Sequence, residues 1–95
     1  MTSAEVAEEF MRRIKSGDHY EVVQQNMDSQ VRHVQEELEY DDHGNGHLTL
    51  IFSVALNDET RDIQFVQVAR DVEGGSQWAW LVKPKAEVVV KYVVV

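Results

Sequence analysis

Few side chains in this sequence could act as an acid, a base or a hydrogen-bond donor inside an apolar pocket. The candidates are Tyr20, His33, Gln64 and Gln67. Acid–base catalysis needs a polar group that an apolar pocket desolvates. No nucleophile stands at a recognisable spacing from a base, and Tyr20 is typical of a helix residue whose ring lies in the core and whose hydroxyl lies at the rim. The sequence therefore predicts no catalytic set, and Tyr20 and His33 are its leading candidates.

His43 and His47 flank a Gly-Asn-Gly segment, close to Asp41 and Asp42. Imidazole and carboxylate groups can bind zinc or nickel. A flexible hairpin tip does not hold four ligands in place, however, so we expect neither a metal site nor a cofactor. The chain has no cysteine, which excludes disulfides and thiolate chemistry.

The chain is acidic, with a formal net charge of −8. Residues 1–45 carry eleven Asp and Glu against four Lys and Arg, and residues 46–95 carry six against five. The densest acidic run, residues 36–42, would repel phosphates, which disfavours nucleic acid and allows a basic protein partner. Charge runs of this kind are usually solvated surface.

A length of 95 residues predicts a single domain over residues 1–95. No apolar run reaches the roughly 18 residues that a membrane span requires, and no leader pattern stands at the start. We therefore expect no membrane association and a cytoplasmic location by default, although a chain trimmed of its leader would look the same.

Two helices are predicted in the first third of the chain. Thr2 or Ser3 can cap the first, whose apolar residues recur at steps of three and four: Val6, Ala7, Phe10, Met11 and Ile14. Gly17 can take the left-handed conformation that ends this helix, and Asp18 can cap the next. The second helix then presents Tyr20, Val23 and Met27 on one stripe, so the two helices form a hairpin that needs a sheet to cover it.

Residues 28–40 fit two patterns, because Val31, Val34 and Leu38 continue the helical stripe whereas Val34, Glu36, Leu38 and Tyr40 alternate as in a strand. Local propensity slightly favours helix. Strands are predicted over 48–56, over 63–71 with a β-bulge at Phe65 and Val66, and over 78–82. Lys83-Pro84-Lys85 is expected to break the fourth strand, and residues 87–95 form the last.

The last strand is apolar on both faces, which predicts either a central position in the sheet or pairing with a second copy. The interface residues expected from this pattern are Val89, Lys91, Val93 and Val95. Aromatic residues on the preceding strands are expected to line a pocket for a small apolar ligand: Phe52, Phe65, Trp78 and Trp80.

The run from Phe10 to Ile14, the Ser16-Gly17-Asp18 step and the later Gly-Gly-Ser and Trp78-Ala79-Trp80 segments resemble the nuclear transport factor 2-like superfamily, also called cystatin-like half-cones. This resemblance implies an α+β fold: an N-terminal helical hairpin packed on a bent antiparallel sheet of four to five strands. It implies that residues 31–40 form a strand paired with residues 48–56, through a type I′ turn at Asn45-Gly46. Without it, a related helix-on-sheet fold with a second helix reaching Leu38 stays open.

These observations favour a non-enzymatic binding or assembly module that dimerises through its sheet and C-terminal strand. Two alternatives stay open. One is a small isomerase- or dehydratase-type enzyme, which the resemblance suggests and for which an open pocket containing Tyr20 or His33 would be needed. The other is an acidic inhibitor or immunity-type protein that binds a basic partner through residues 36–42.

Overall fold

Two helices precede five strands in the computed structural model, which describes residues 2–56, 62–85 and 91–95. The strands form one antiparallel sheet in the order β1-β2-β3-β4-β5, and the helices pack on one of its faces. This arrangement confirms the expected α+β class. The elements are α1 (Ser3–Lys15), α2 (Tyr20–Asn26), β1 (Val31–Tyr40), β2 (Gly46–Val54), β3 (Gln64–Asp71), β4 (Gln77–Lys85) and β5 (Lys91–Val94).

Helix α1 begins with a capping box. The Thr2 hydroxyl accepts from the Glu5 backbone N–H at 3.2 Å, and the Glu5 carboxylate accepts from the Thr2 N–H at 3.2 Å. Ser3 is therefore the first helical residue, and its buried hydroxyl accepts instead from the backbone N–H of Leu56. The apolar stripe of α1 faces the sheet and is buried as the periodicity predicts: Val6, Ala7, Phe10, Met11 and Ile14.

The junction between the helices lies where it was predicted, but its cap differs. Gly17 takes a φ of 108° after the last turn of α1, as expected for a helix-ending glycine. The Asp18 N–H still bonds back to Arg13 O, so Asp18 belongs to the end of α1. The N-cap of α2 is His19, whose Nδ1 accepts from the Glu21 N–H at 3.2 Å. The prediction that Asp18 caps α2 was therefore wrong by one residue.

Residues 31–40 form a strand, as the family resemblance implied and against the slight local preference for helix. Strand β1 pairs with β2 from Val31 opposite Val54 to Tyr40 opposite Gly46. Only Val31 is buried, and residues 32–40 are exposed. Because β1 contributes little to the core, its conformation follows from the backbone ladder with β2, a tertiary contact that local propensity does not register.

The β1–β2 hairpin closes through a five-residue loop, not through a type I′ turn at Asn45-Gly46. Asp41 N–H donates to Asn45 O at 3.0 Å, and Gly44 takes the left-handed conformation with a φ of 81°. The Asp41 carboxylate accepts from the backbone N–H groups of His43 and Asn45, both at 2.9 Å. An Asp side chain at the loop start thus closes the turn by a route that the Asn-Gly pattern does not show.

The irregularity in the sheet lies in β1 and not in β3. The register of β3 runs without a shift against both neighbours, so the bulge predicted at Phe65 and Val66 was wrong. The change of phase there has a simpler cause, since Val66 faces the helices and Phe65 packs on Tyr92 on the other side. In β1 the register shifts between His33 and Gln35, which leaves Val34 as the extra residue of a bulge.

The C-terminal half of the sheet differs from expectation at two points. Strand β4 continues through Pro84, which pairs with Tyr92 of β5, whereas pairing with β3 ends at Val82. The missing proline N–H costs little where one flank of a strand is already unpaired. Strand β5 follows β4 at the end of the sheet order, which excludes the first of the two predicted alternatives, a central position, and leaves pairing with a second copy as a prediction.

The sheet has two faces of different character. The helix face carries the residues that form the core with α1 and α2, including Leu50, Phe52, Val54, Val66, Val68 and Ala79. The outer face, on the opposite side by strand alternation, carries Thr49, Ile51, Phe65, Trp78, Trp80, Val82, Tyr92 and Val94. On this outer face Ile51 and Val82 are buried, whereas Trp78 and Val94 are exposed.

Candidate functional site

A cavity of about 160 Å³ lies between α2 and the helix face of β1 and β2. Helix α2 contributes side chains to one wall, β1 contributes the opposite rim, and β2 forms the floor. The lining residues are Tyr20, Glu21, Gln24, His33, Glu36, Leu50 and Phe52. The cavity therefore combines an apolar floor with a polar, acidic rim.

Gln77 of β4 holds the start of α2 beside this cavity. Its Oε1 accepts from the Tyr20 backbone N–H at 3.1 Å, and its Nε2 donates to Asp18 O at 2.8 Å. The same Oε1 accepts from Arg70 Nη1 at 3.2 Å. One side-chain amide thus satisfies backbone groups at the helix junction and fixes the place from which the Tyr20 side chain extends.

Phe52 forms the floor of the cavity at the centre of an aromatic cluster. Its ring meets Phe10 edge-on with centroids 5.1 Å apart, and His33 edge-on at 5.5 Å. The Tyr20 ring is tilted toward it at 6.3 Å. Phe52 is only 1% exposed, so this floor is a rigid part of the core.

The bulge at Val34 determines which β1 side chains reach the cavity. His33 pairs with Phe52 and Glu36 pairs with Leu50, so both lie on the helix face although three residues separate them. In a regular strand, residues three apart lie on opposite faces. His33 Nε2 is 3.8 Å from Glu36 Oε2 as a result.

The Tyr20 hydroxyl has a raised pKa. Partial burial is the main cause, and the negative charges of Glu21 and Glu36 add to it, while Arg70 acts in the opposite direction. The hydroxyl donates to Glu21 Oε1 at 3.4 Å, and the Arg70 guanidinium carbon lies 6.0 Å from the ring centroid. The group is thus a phenol that stays protonated and can donate a hydrogen bond.

The structure brings together the two residues that the sequence singled out for acid–base chemistry, since Tyr20 and His33 both line the cavity. The four aromatic residues expected to share a pocket are not brought together. Phe52 lies on the helix face, whereas Phe65, Trp78 and Trp80 lie on the outer face. The sheet itself separates them.

His43 and His47 lie at the β1–β2 loop without forming a ligand cluster. His47 Nε2 is 3.3 Å from Asp41 Oδ2, and the other Asp41 oxygen accepts the two backbone N–H groups that close the loop. These hydrogen bonds, that from Asn45 foremost, lower the pKa of Asp41. Within residues 2–56, 62–85 and 91–95, no group of three or more His, Asp or Glu side chains could hold a metal ion.

The predicted interface residues are described in part. Val89 lies outside the described residues, and Lys91 is described only as the first residue of β5. Val93 pairs with Lys83 and is 36% exposed, and Val95 is 76% exposed. Both lie at the free margin of β5, among the described residues.

The acidic run of residues 36–42 does not form one surface. Glu36 is on the helix face at the cavity, whereas Glu37 and Glu39 alternate to the outer face. The neighbouring Glu39 carboxylate raises the pKa of Glu37 there. The structure thus divides the charges on which an inhibitor of a basic protein would depend, and such a partner remains a prediction.

The sequence did not single out three residues that shape this site, Glu21, Gln24 and Gln77, and it singled out Glu36 only as part of the acidic run. Gln24 spans the gap between α2 and β1 by donating to Val31 O at 3.0 Å. The amide of Gln77 contacts residues 57 and 59 positions earlier, which no local pattern predicts. The position of Glu36 at the cavity can be predicted only if the bulge at Val34 is known.

The outer face offers a second feature beside Trp78. A groove of about 280 Å³ runs along β2, β3 and β4 and is lined by His47, Leu48, Thr49, Ala69, Arg70, Asp71, Ser76 and Trp78. Trp78 is 65% exposed. Trp80 Nε1 is buried and has no hydrogen-bond partner among the described residues. A large indole left in solvent at this groove is typical of a contact surface.

Comparison with protein-family models, curated proteins and solved structures finds no match to this chain. The described helices are too short or too polar to cross a membrane. Functional assignment therefore depends on the geometry of the cavity, the outer face and the β5 margin.

Proposed function

We propose that this chain is a non-enzymatic assembly module, and that two copies associate through the outer face and strand β5. The observation that carries this proposal is the exposed apolar margin at β5. Val94 is 64% exposed and Val95 is 76% exposed, and Trp78, on the same face as Val94, is 65% exposed. Apolar residues of this size gain about 25 cal/mol per Å² when they leave water.

A second copy is the occupant that the strand geometry favours. An edge strand offers a row of backbone N–H and C=O groups to any strand of similar shape. In a two-fold dimer the same strand meets itself in antiparallel orientation, so one apolar segment supplies both sides of the contact. Four residues of β5 make only a short ladder of about 13 Å, so the aromatic outer face must add buried area.

The mass in solution tests this proposal. Light scattering coupled to size-exclusion chromatography should give twice the chain mass of 10.9 kDa and a shift toward monomer on dilution. Val94→Lys should produce monomer, because it places a charge in the contact. Val22→Lys is the matched control, since Val22 is 55% exposed on α2, away from the sheet edge. A monomer at every concentration, or equal effects of the two variants, would refute the dimer.

The family resemblance is also proposed for this chain. Its support is the element order, in which α1, the Gly17 turn and α2 precede a purely antiparallel sheet. A half-cone of the nuclear transport factor 2-like kind would have its pocket between helices and sheet. The cavity at Tyr20 occupies the corresponding place.

The placement of Tyr20 and His33 favours one alternative function, an isomerase- or dehydratase-type enzyme. A protonated phenol and an imidazole on the same cavity could donate and accept a proton. The cavity has a volume of about 160 Å³, so any substrate would be small. Turnover of a small carbonyl compound that Tyr20→Phe and His33→Gln each abolish would support this alternative.

A further inference from the structure

The cavity beside α2 places negative charge over an apolar floor. Leu50 is 2% exposed and Phe52 is 1% exposed at the floor. Glu21 and Glu36 stand at the rim, and the Glu36 side chain is 60% exposed. The described residues that line the cavity include no Lys or Arg. An anion would therefore be repelled here. A metal ion would have to exchange bound water for contact with carbon atoms, which is unfavourable.

We propose that this cavity binds a small alkylammonium ion. The carbon chain would lie against the side chains of Tyr20 and His33, above the nearly closed floor of Leu50 and Phe52, and the ammonium would lie at the rim beside the carboxylates of Glu36 and Glu21. The volume of about 160 Å³ suits a ligand with a short carbon chain, because it is well below the volume of a drug-sized pocket. Aromatic rings next to a cation add to its attraction.

The groups around the two carboxylates leave them able to accept from a ligand. Tyr20 OH reaches Glu21 Oε1 at 3.4 Å, and His33 Nε2 is 3.8 Å from Glu36 Oε2. The first is a long hydrogen bond and the second exceeds hydrogen-bond distance. Arg70 brings a positive charge to the Tyr20 ring, 6.0 Å from its centroid, but it does not line the cavity and its Nη1 donates to Gln77.

The proposal is tested by nuclear magnetic resonance titration of the full chain with n-butylammonium and with n-butanol. The two probes have the same carbon chain and the same number of heavy atoms, so they differ in charge. We expect n-butylammonium to bind about fivefold more tightly or better, as an ion pair at a half-exposed site allows. The shifted amides should belong to α2 and to β1 around His33.

Glu36→Gln should weaken n-butylammonium binding about threefold to fivefold and leave n-butanol binding unchanged. Glu37→Gln is the matched control, because it removes the same charge from the neighbouring residue on the outer face. Equal binding of the two probes, equal effects of the two variants, shifts away from the cavity, or no saturable binding would each overturn the proposal. Both variants remove an exposed carboxylate, and their spectra report directly whether the fold is kept.

A primary alkylammonium can be a free amine or the side chain of a lysine. Titration with lysine whose α-amino and carboxyl groups are capped separates these sources. Binding at least as tight as that of n-butylammonium would support a lysine of a partner protein. Weaker binding would support a free amine, because the cavity then excludes the attached backbone.

Discussion

His33 and Glu36 are three residues apart on one strand, yet both face α2. Their partners on β2 are Phe52 and Leu50, which are two residues apart and lie on the same face. The bulge at Val34 absorbs the additional residue. The acidic rim of the cavity therefore depends on one extra residue in the β1 backbone.

Deletion of Val34 should be tolerated, because the pairs on both sides of the bulge already have the register that a regular strand would give. Val34 is 46% exposed, so little packing is lost. We expect a change of about 1 kcal/mol or less in the free energy of unfolding, measured by urea denaturation.

Deletion of Glu37 is the control for the Val34 deletion. It either moves residues 38–40 to the opposite faces or removes a residue from the Asp41 turn. This deletion should therefore lower the free energy of unfolding clearly more than the Val34 deletion does. Equal costs for the two deletions would contradict the bulge.

Gln77→Leu should loosen α2, since this side chain bonds both Tyr20 N–H and Asp18 O. One of these hydrogen bonds is half-buried and the other is exposed, so their loss should cost about 1 kcal/mol. Hydrogen exchange should quicken at the amides of α2 and less elsewhere. Gln25→Leu, at an exposed position of the same helix, should have little effect, and equal exchange in the two variants would refute the role of Gln77.

Phe52→Ala and Phe65→Ala make the same change, Phe to Ala, on the two opposite faces of the sheet. Phe52 is buried among Phe10 and the helix core, and its loss should cost about 3–5 kcal/mol. Phe65 is half-buried on the outer face, so Phe65→Ala should cost less in the isolated chain. If the chain dimerises, Phe65→Ala should also make the thermal midpoint less dependent on concentration, because association then adds less to the stability of the folded chain. Calorimetry at several concentrations measures both effects.

Asp41→Ala should destabilise the chain at neutral pH but hardly at acid pH. The N–H groups of Asn45 and His43 hold the pKa of Asp41 below its ordinary value in the folded state. Its stabilisation is thus present above the unfolded pKa of about 3.9 and is lost as the pH falls through the lower, folded pKa. Thermal midpoints of wild type and variant should converge on acidification. Asp42→Ala, at the neighbouring position, should show no such convergence.

Glu37→Gln should stabilise the chain at neutral pH, because it removes a charge that repels Glu39. The contact with Glu39 raises the pKa of Glu37 in the folded state. The ionised form of a group with a raised pKa opposes folding, so the penalty appears as the pH rises through the folded pKa. We expect the thermal midpoint to rise by about 2 °C at neutral pH and not at acid pH. Glu8→Gln on α1 removes the same charge and should not reproduce this dependence.

Sequence patterns alone determined the helical hairpin, because its causes are local. Thr2 can cap α1, Gly17 can take a positive φ, and the stripe from Val6 to Ile14 repeats at the helical period. Alternation likewise identified β2 and most of β3 and β4. The helical stripe likewise predicted that the Tyr20 ring packs on the core with its hydroxyl at the rim.

Only the tertiary structure decided β1, the cavity and the two faces of the sheet. The apolar residues of 31–40 fit both the helical and the strand period, and pairing with β2 determines that the segment is a strand. The bulge at Val34 sets the face of Glu36, and Gln77 reaches α2 from the far end of the chain. Each depends on backbone or side-chain partners distant in sequence, so no local pattern of residue types contains it.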